Sequence, residues 1–201
     1  MTHESVRGTT WGGYLITGTF DGRTVKLTEP AKVNDGSLSP RPREHDVTSP
    51  CPVPAGGWRP VDPANTTGNA LQSIKVVVSA DPDFAGLWLD RPNDPGSTDN
   101  DPVKLLLNVR FTKDLARHEA AIRRVWGGAL CLSEATHTLA ELTQIRQERA
   151  AEPGSIGASI DEVTGTVEIT VYVATQTRQR ELDAKYGRGL VNLVGALEPI
   201  D

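Results

Sequence analysis

Residues 103–135 organise the chain, with the sequence Val103-Lys-Leu-Leu-Leu-Asn-Val-Arg-Phe-Thr-Lys-Asp-Leu-Ala-Arg-His-Glu-Ala-Ala-Ile-Arg-Arg-Val-Trp-Gly-Gly-Ala-Leu-Cys-Leu-Ser-Glu-Ala135. The first nine residues are apolar and partly β-branched, which predicts a buried strand. The last seven predict a second strand, which carries Cys131. Between the strands, apolar residues recur at the spacing of an amphipathic helix, namely Leu115, Ile122, Val125 and Trp126. We expect Thr112 to cap this helix and Gly127-Gly128 to end it.

An N-terminal β-hairpin is predicted for residues 11–29. Residues 14–20 and 25–27 alternate side chains in the manner of strands. Asp21-Gly22 lies between them, and this pair favours a type I′ turn because both central residues of that turn need a positive φ.

The composition changes at residue 30. Residues 30–62 hold seven of the fourteen prolines, and proline fixes φ and removes a backbone donor, so an extended and irregular connection is expected. Asp62-Pro63 then predicts the start of a helix. The chain therefore divides into an N-terminal hairpin segment (1–29), a proline-rich connection (30–62) and a third segment, residues 63–201.

The third segment alternates helices and strands. We expect a helix from Pro63, a strand over 84–90, the organising unit, a helix with a Thr138/Glu141 capping box, a hairpin near 156–173, a helix over 177–186 and a last strand over 190–197. This order predicts an α+β fold with a mixed, mainly antiparallel sheet and helices on one face. No internal repeat is evident in the sequence.

Charge and hydropathy exclude several classes of protein. The net charge of −5 is unfavourable for binding phosphates along a nucleic acid, so no nucleic-acid partner is expected. No stretch approaches the roughly 20 apolar residues that cross a bilayer, and the first twenty residues lack the order of a signal peptide. The protein is then either cytoplasmic or, if a targeting segment precedes this chain, extracytoplasmic.

The sequence contains no catalytic or cofactor-binding motif, and we expect neither a catalytic residue nor a cofactor. Gly-x-Ser-x-Gly, P-loop, Gly-x-Gly-x-x-Gly and His-Glu-x-x-His patterns are all absent from it. Of the four histidines (His3, His45, His118 and His137), His118 borders the apolar stripe of its helix. A partnered histidine at a core edge explains that position better than a general base does. His137 and Glu141, four residues apart, give only two metal ligands, which do not make a zinc site.

Two further sets of residues carry specific hypotheses. Asp94, Asp99 and Asp101 place oxygen ligands of the kind that calcium prefers in one loop, but without EF-hand spacing, so a solvated acidic turn is favoured. Cys51 and Cys131 are expected to form a disulfide that pins the proline-rich connection to the organising unit. The alternative is a pair of reduced thiols in a cytoplasmic protein.

Several motifs carry a resemblance. They are Trp11-Gly-Gly-Tyr14, Gly18-Thr-Phe-Asp-Gly22, Cys51-Pro-Val-Pro-Ala-Gly-Gly-Trp58, Phe84-Ala-Gly-Leu-Trp88, Leu107-Asn-Val-Arg-Phe-Thr112 and Trp126-Gly-Gly-Ala-Leu-Cys131. Over nearly its whole length the chain resembles a family of uncharacterised actinobacterial proteins, a resemblance that implies no activity. Members have a further cysteine-containing segment before the Trp-Gly motif, so a longer native N-terminus is expected. Residues 84–90 with the following strand and helices are also similar to the pro-regions of bacterial chymotrypsin-like proteases.

These observations favour a non-enzymatic structural or protein-interaction module, which presents a sheet edge or the proline-rich segment to a protein partner. Two alternatives remain open. One is a small-molecule binder or enzyme whose site is assembled from residues distant in sequence. Trp58, Trp88 and Trp126 would then be a stacking surface, although such residues are more often core. The other, implied by the second resemblance, is a folding assistant or inhibitor of a protease.

Overall fold

The computed structural model describes residues 4–6, 9–11, 13–34, 48–93 and 99–200. The chain divides into two compact units, residues 1–45 and residues 46–201. The boundary lies within the proline-rich stretch, so Cys51 and the residues after it belong to the second unit.

The described part of the first unit consists of short antiparallel strand pairs. These are β1 (Glu4–Val6) with β2 (Thr9–Trp11), β3 (Tyr14–Leu15) with β6 (Lys32–Val33), and β4 (Gly18–Phe20) with β5 (Val25–Leu27). The pairing of β4 with β5 confirms a hairpin around Asp21-Gly22, but the predicted first strand is divided, because β3 pairs with β6 beyond residue 29. The hairpin loop has four residues and not two, because Phe20 pairs with Val25. The Asp21 carboxylate accepts hydrogen bonds from the backbone N–H groups of Arg23 and Thr24, at 2.8 and 2.7 Å, and this holds the wider loop.

The second unit alternates helices and strands in the predicted order. Its elements are α1 (Gly68–Ser79), β7 (Phe84–Asp90), β8 (Leu106–Phe111), α2 (Leu115–Arg123), β9 (Ala129–Glu134), α3 (Leu139–Ala150), β10 (Ser155–Asp161), β11 (Thr166–Val171), α4 (Gln176–Tyr186) and β12 (Val191–Gly195). Short 3₁₀ helices lie at Pro63–Asn65 and Pro102–Lys104. The fold is α+β.

The strands of this unit form two three-stranded sheets, where the sequence predicted one sheet. In the first, β8 pairs antiparallel with β7 and parallel with β9. In the second, β11 pairs antiparallel with β10 and parallel with β12. The order α1-β7-β8-α2-β9 is thus repeated, with the same pairing, as α3-β10-β11-α4-β12. No repeat is evident in the sequence, yet the structure has one.

Local details of the two halves also correspond. The turn after α1 is Ala80-Asp-Pro82 and the turn after α3 is Ala151-Glu-Pro153. The N–H of each acidic residue donates to a carbonyl three residues before it, Asp81 to Val78 at 3.1 Å and Glu152 to Arg149 at 3.2 Å. An aromatic-glycine pair follows or closes the second helix of each half, Trp126-Gly127 after α2 and Tyr186-Gly187 at the end of α4. Only a few positions match in residue type, so the repeat is not evident from sequence identity.

Each sheet packs its helices on one face. The buried core of the first half contains Ile74, Val78, Phe84, Leu107, Val109, Phe111, Ile122 and Trp126. The buried core of the second half contains Leu142, Val167, Ile169, Val171, Leu182 and Val191. The central strands β8 and β11 supply equivalent residues to the two cores because alternate side chains of a strand point to one face.

The other faces of the two sheets differ. In the first sheet that face carries Leu106, Ala129 and Cys131, which pack against Cys51 and Trp58 of the proline-rich connection. In the second sheet the same face of β11 carries polar side chains, Thr166, Glu168 and Thr170. The proline-rich connection is therefore a covering layer for the first half.

Gly127 is required by the close approach of this connection. Its carbonyl oxygen accepts hydrogen bonds from the backbone N–H groups of Val61 and Asp62, at 2.7 and 2.9 Å, and its own N–H donates to the carbonyl of Asn65 at 3.0 Å. A Cβ at this position would overlap the backbone oxygen of Asp62. The prediction that Gly127 ends the helix is wrong, because α2 already ends at Arg123. Gly127 instead admits a second segment of chain.

Three other predicted boundaries are wrong in detail. Asp62 caps only the 3₁₀ helix, and Thr67 caps α1. Thr112 does not cap α2, whose N-cap is Asp114 with φ 54° and no capping side-chain bond. Val103 lies in a 3₁₀ helix before the strand and is exposed. In each case the contacts of a neighbouring segment decide the boundary. The N–H of Thr112, for example, donates to the carbonyl of Asp83.

Candidate functional site

The two three-stranded sheets have four edge strands, β7, β9, β10 and β12. The outward N–H and C=O groups of an edge strand have no partner in their own sheet. They must be covered by other parts of the chain, or they offer a template on which a strand of another chain can pair. The four edges differ in this respect.

The edge of β7 is covered by a turn of the second half. The carboxylate of Glu162, directly after β10, accepts a hydrogen bond from the N–H of Leu87 at 2.8 Å. The adjacent Gly86 permits this approach, because a Cβ there would lie 2.9 Å from the Cβ of Glu162. A peptide group of the edge is thereby paired with a side chain of the same protein.

The edge of β9 is covered by the proline-rich connection. Cys51 and Cys131 form a disulfide with their Cα atoms 5.8 Å apart, as the sequence predicts. The Cys51 sulfur also lies 3.5 Å from the carbonyl oxygen of Leu132. A disulfide sulfur has no proton to donate, so this is a packing contact that places the connection against the strand.

The edge of β12 is covered by one side chain of α4. The Gln179 amide nitrogen donates to the carbonyl of Val191 at 2.8 Å, and its oxygen accepts from the N–H of Leu193 at 2.9 Å. A carboxamide has the same donor and acceptor as a peptide group. Gln179 therefore imitates one residue of a neighbouring strand.

The edge of β10 is open. The N–H of Val167 donates to Leu190, and the carbonyl of Val171 accepts from Ala196, so the odd-numbered residues of β11 pair with β12. The even-numbered residues then pair with β10, which leaves the peptide groups of Ala158 and Ile160 directed away from the sheet. Among the residues that the structure describes, none hydrogen-bonds to these outward groups.

A cluster of potential metal ligands lies in the first half, in the turn before β7 and on α2. Ligand atoms of Asp81, Asp83 and His118 lie within 4.8 Å of one another. Arg117 contacts all three, with its guanidinium 3.5 Å from Asp81, 3.4 Å from Asp83 and 3.1 Å from Nε2 of His118. Lys113 lies 3.2 Å from Asp83. Two cations therefore already neutralise the two carboxylates.

The ring of His118 is buried and lies against Phe111, Arg117 and Asp81. It is 3% exposed and stacks on Phe111 with ring centroids 3.7 Å apart and planes 4° from parallel. Because Arg117 donates to Nε2, the ring proton lies on Nδ1, 3.5 Å from the Asp81 carboxylate. His118 is a partnered histidine at a core edge, and the arrangement is that of an ion-pair network.

The acidic loop has internal partners for its described carboxylates. Asp99 accepts from the Lys104 ammonium at 2.9 Å and from the N–H of Asp101 at 3.1 Å. These bonds, the ammonium first, hold the pKa of Asp99 below its ordinary value. Asp101 caps the 3₁₀ helix through the N–H of Val103. Asp94, the third calcium candidate, lies outside the described residues.

The remaining sequence candidates take structural positions. Glu141 and Thr138 form the predicted capping box, and the Glu141 carboxylate lies 3.7 Å from Nδ1 of His137. Trp126 is fully buried, with its indole N–H donating to the carbonyl of Ala129 at 3.1 Å. Trp58 and Trp88 are half-buried. His3 and His45 lie outside the described residues.

Sequence reasoning missed the residues that cover the edges. Nothing in the local sequence identifies Glu162 or Gln179 as an edge-covering residue. Glu162 bonds to β7, which is distant in the chain, and Gln179 bonds to β12, the next element. Asp81 and Asp83 had a weak signal, since two carboxylates flank a proline in the turn before a strand. The open edge itself had a signal in the sequence, the alternation of Ile156, Ala158 and Ile160.

Comparison with protein-family models and with curated protein sequences finds no match to this chain. No helix among the described residues is long and apolar enough to span a membrane. The geometry of the site is therefore the basis for the function.

Proposed function

We propose that this protein is a non-enzymatic interaction module that binds a protein partner by strand addition to the edge of β10. One observation carries the proposal, which is that the outward peptide groups of Ala158 and Ile160 have no hydrogen-bond partner among the described residues. On β7 and β12 an outward peptide group is hydrogen-bonded by Glu162 or Gln179, and on β9 the disulfide of Cys51 packs the proline-rich connection against the strand. Coverage of three edges and not the fourth favours binding at the fourth.

The structural repeat supports the same edge. β7 and β10 occupy equivalent positions, each with an irregular register before a glycine, Gly86 or Gly157. In the first half, the residue after that glycine, Leu87, donates its N–H to Glu162. The equivalent residue in the second half is Ala158. The first half thus supplies an internal example of an acidic turn covering this type of edge.

The side chains beside the open edge suit an apolar contact. Ile156 is 45% exposed, whereas Ala158 and Ile160 pack partly into the second core. A partner strand would pair its backbone with the edge and place an apolar side chain next to Ile156.

The first unit offers a second surface for the same function. It exposes large apolar side chains on its strands, Tyr14, Leu15, Leu27 and Val33, and Ile16 directly after β3. Tyr14 and Val33 lie directly opposite each other in the β3–β6 pair, so they share one face. Short two-stranded pairs are marginally stable in water, and a partner that covers this face would stabilise them.

The two alternative functions predict different partners. A protease folding assistant or inhibitor would use the same open edge on a chymotrypsin-like protease. A small-molecule binder would use a cavity instead, and one cavity, about 660 Å³ in volume, lies between the end of α1 and α3. Its polar lining residues include Asp81, Thr143, Gln144 and Gln147.

The proposal is tested by photo-crosslinking in the native host. A photoreactive phenylalanine replaces Ile156 beside the edge, and in a matched protein it replaces Val76, which is 73% exposed on α1. We expect the first probe to crosslink one partner protein through an extended segment and the second not to do so. Mass spectrometry of the crosslinked peptides identifies both the partner and the segment.

A backbone variant makes the test specific for strand addition. Ala158→Pro removes the outward N–H and leaves the ladder with β11 intact, because proline is tolerated on an edge strand at such a position. Ala158→Ser keeps the N–H and serves as the control. The crosslink should disappear with proline and persist with serine. Equal crosslinking by both variants, or by both probes, would contradict the proposal.

A further inference from the structure

A smaller cavity of the second unit has a volume of about 300 Å³ and lies where the two halves meet. Arg110 near the end of β8 and residues 135–137 after β9 form one wall. The loops before β11 and β12, residues 164–166 and 187–190, form the other. This volume is at the lower end of the range for small-molecule sites, about 300–1,000 Å³.

Two arginines, Arg110 and Arg188, line this cavity together with His137. The lining also contains the hydroxyl groups of Thr136, Thr164 and Thr166. Guanidinium groups and hydroxyl donors are the side chains that bind carboxylate and phosphate oxygens.

Arg110 is fixed in place by neutral acceptors. Its guanidinium donates to the carbonyl of Val163 at 2.9 Å and to that of Glu134 at 3.3 Å. Among the described residues no carboxylate lies within ion-pair distance of it. Partial burial lowers the pKa of Arg110, and the charge of Asp161 only opposes that effect. Its positive charge is thus held in a half-buried position without a direct counterion.

The neighbouring carboxylates of Asp161 and Glu141 each accept backbone hydrogen bonds, and Glu141 also lies 3.7 Å from Nδ1 of His137. Asp161 accepts from the N–H groups of Val163 and Thr164, at 2.9 and 3.2 Å. Glu141 is held by the N–H of Thr138 in the capping box of α3. Arg188 is exposed, lies between Gly187 and Gly189, both with positive φ, and has no partner among the described residues.

From this arrangement we infer that the cavity binds a small oxyanion, a phosphate or carboxylate group, between Arg110 and Arg188. The anion supplies a direct ion-pair partner for Arg110, on which Asp161 acts only at longer range, and Arg188 lines the same cavity. The inference does not depend on the partner proposed for β10, because the cavity and that edge use different residues.

The test is an NMR titration of the full chain with inorganic phosphate, with acetate and with sodium chloride at matched ionic strength. Gly165, Gly187 and Gly189 line the cavity, and their amide signals report on binding. We expect saturable shifts of these signals with phosphate or acetate and not with chloride. The oxyanion that saturates at the lower concentration defines the ligand class.

Arg188→Ala should weaken that binding by about fivefold or more, as expected for the loss of one charge-assisted hydrogen bond. Arg124→Ala is the matched control, because Arg124 is also exposed and lies on the segment after α2, outside the cavity. Its dissociation constant should match that of the native protein. Equal weakening by both variants, or shifts that follow ionic strength alone, would overturn the inference.

Discussion

The carboxylate of Glu162 accepts a hydrogen bond from the backbone N–H of Leu87 at 2.8 Å, so the turn of one half covers the sheet edge of the other. The two residues are 75 positions apart in the sequence. The bond shows how the repeat is stabilised, since each half contributes a group that its partner half needs.

Glu162→Ala should destabilise the protein by about 1–2 kcal/mol, because it leaves the half-buried N–H of Leu87 without an acceptor. Glu162→Gln keeps an acceptor oxygen and should cost less. Urea unfolding measures both values. Equal losses for alanine and glutamine would mean that the charge, and not the hydrogen bond, matters here.

Replacement of both Cys51 and Cys131 by alanine should lower stability by roughly 4–5 kcal/mol in the chain-entropy account of a disulfide. The sequence separation of the two cysteines is 80, and the long loop makes the expected effect large. Unfolding is compared with and without a reductant. The reductant should destabilise the native protein and leave the double variant unchanged, and two free thiols in the unreduced native protein would contradict the disulfide.

Ile122→Ala should cost about 2–5 kcal/mol, because this side chain is 1% exposed and packs in the first core. Ile156→Ala removes the same atoms from a 45% exposed side chain and should cost less than about 1 kcal/mol. The pair is compared by denaturant unfolding. Similar losses at the two sites would show that α2 does not bury Ile122.

The carboxylate of Glu148 should stabilise the fold only above acidic pH. It accepts hydrogen bonds from Lys185 at 2.7 Å and Tyr186 at 3.0 Å, which lower its pKa from 4.5 to about 2. A pKa that is lower in the folded state stabilises the fold above the unfolded value, and this stabilisation is lost as the pH falls. The advantage over Glu148→Gln should thus be constant above pH 4.5 and disappear towards pH 2.

This advantage should be small and should shrink further in high salt, because the group is exposed and solvent screens it. Thermal unfolding at several pH values measures it. Glu181→Gln, a change at an exposed residue of the neighbouring helix α4, is the control for the loss of one negative charge. A difference that grows as the pH falls would reverse the sign of the prediction.

Zinc and calcium at millimolar concentration should leave the melting temperature unchanged. A metal that binds only the folded state raises its stability, but Arg117 and Lys113 already neutralise Asp81 and Asp83. Differential scanning calorimetry with and without each ion measures the effect. An increase of several degrees that is lost in Asp81→Asn would establish a metal site at His118.

The local elements could be predicted from the amino-acid sequence, and so could one contact between distant residues, the Cys51–Cys131 disulfide. Apolar spacing located the helices and the strands because that spacing follows from the geometry of a single element. The capping box of Thr138 and Glu141 could be predicted since both residues lie in one helical turn. The disulfide was predictable because the chain contains only two cysteines.

The pairing of the strands, and the edge that stays open, could not be predicted from the sequence. The separation into two sheets, the coverage of β7 by Glu162 and that of β12 by Gln179 all depend on which segments meet in space. The periodicity of a sequence does not predict such tertiary contacts. A polar side chain that bonds to a distant strand has the same local sequence pattern as a solvent-exposed polar residue.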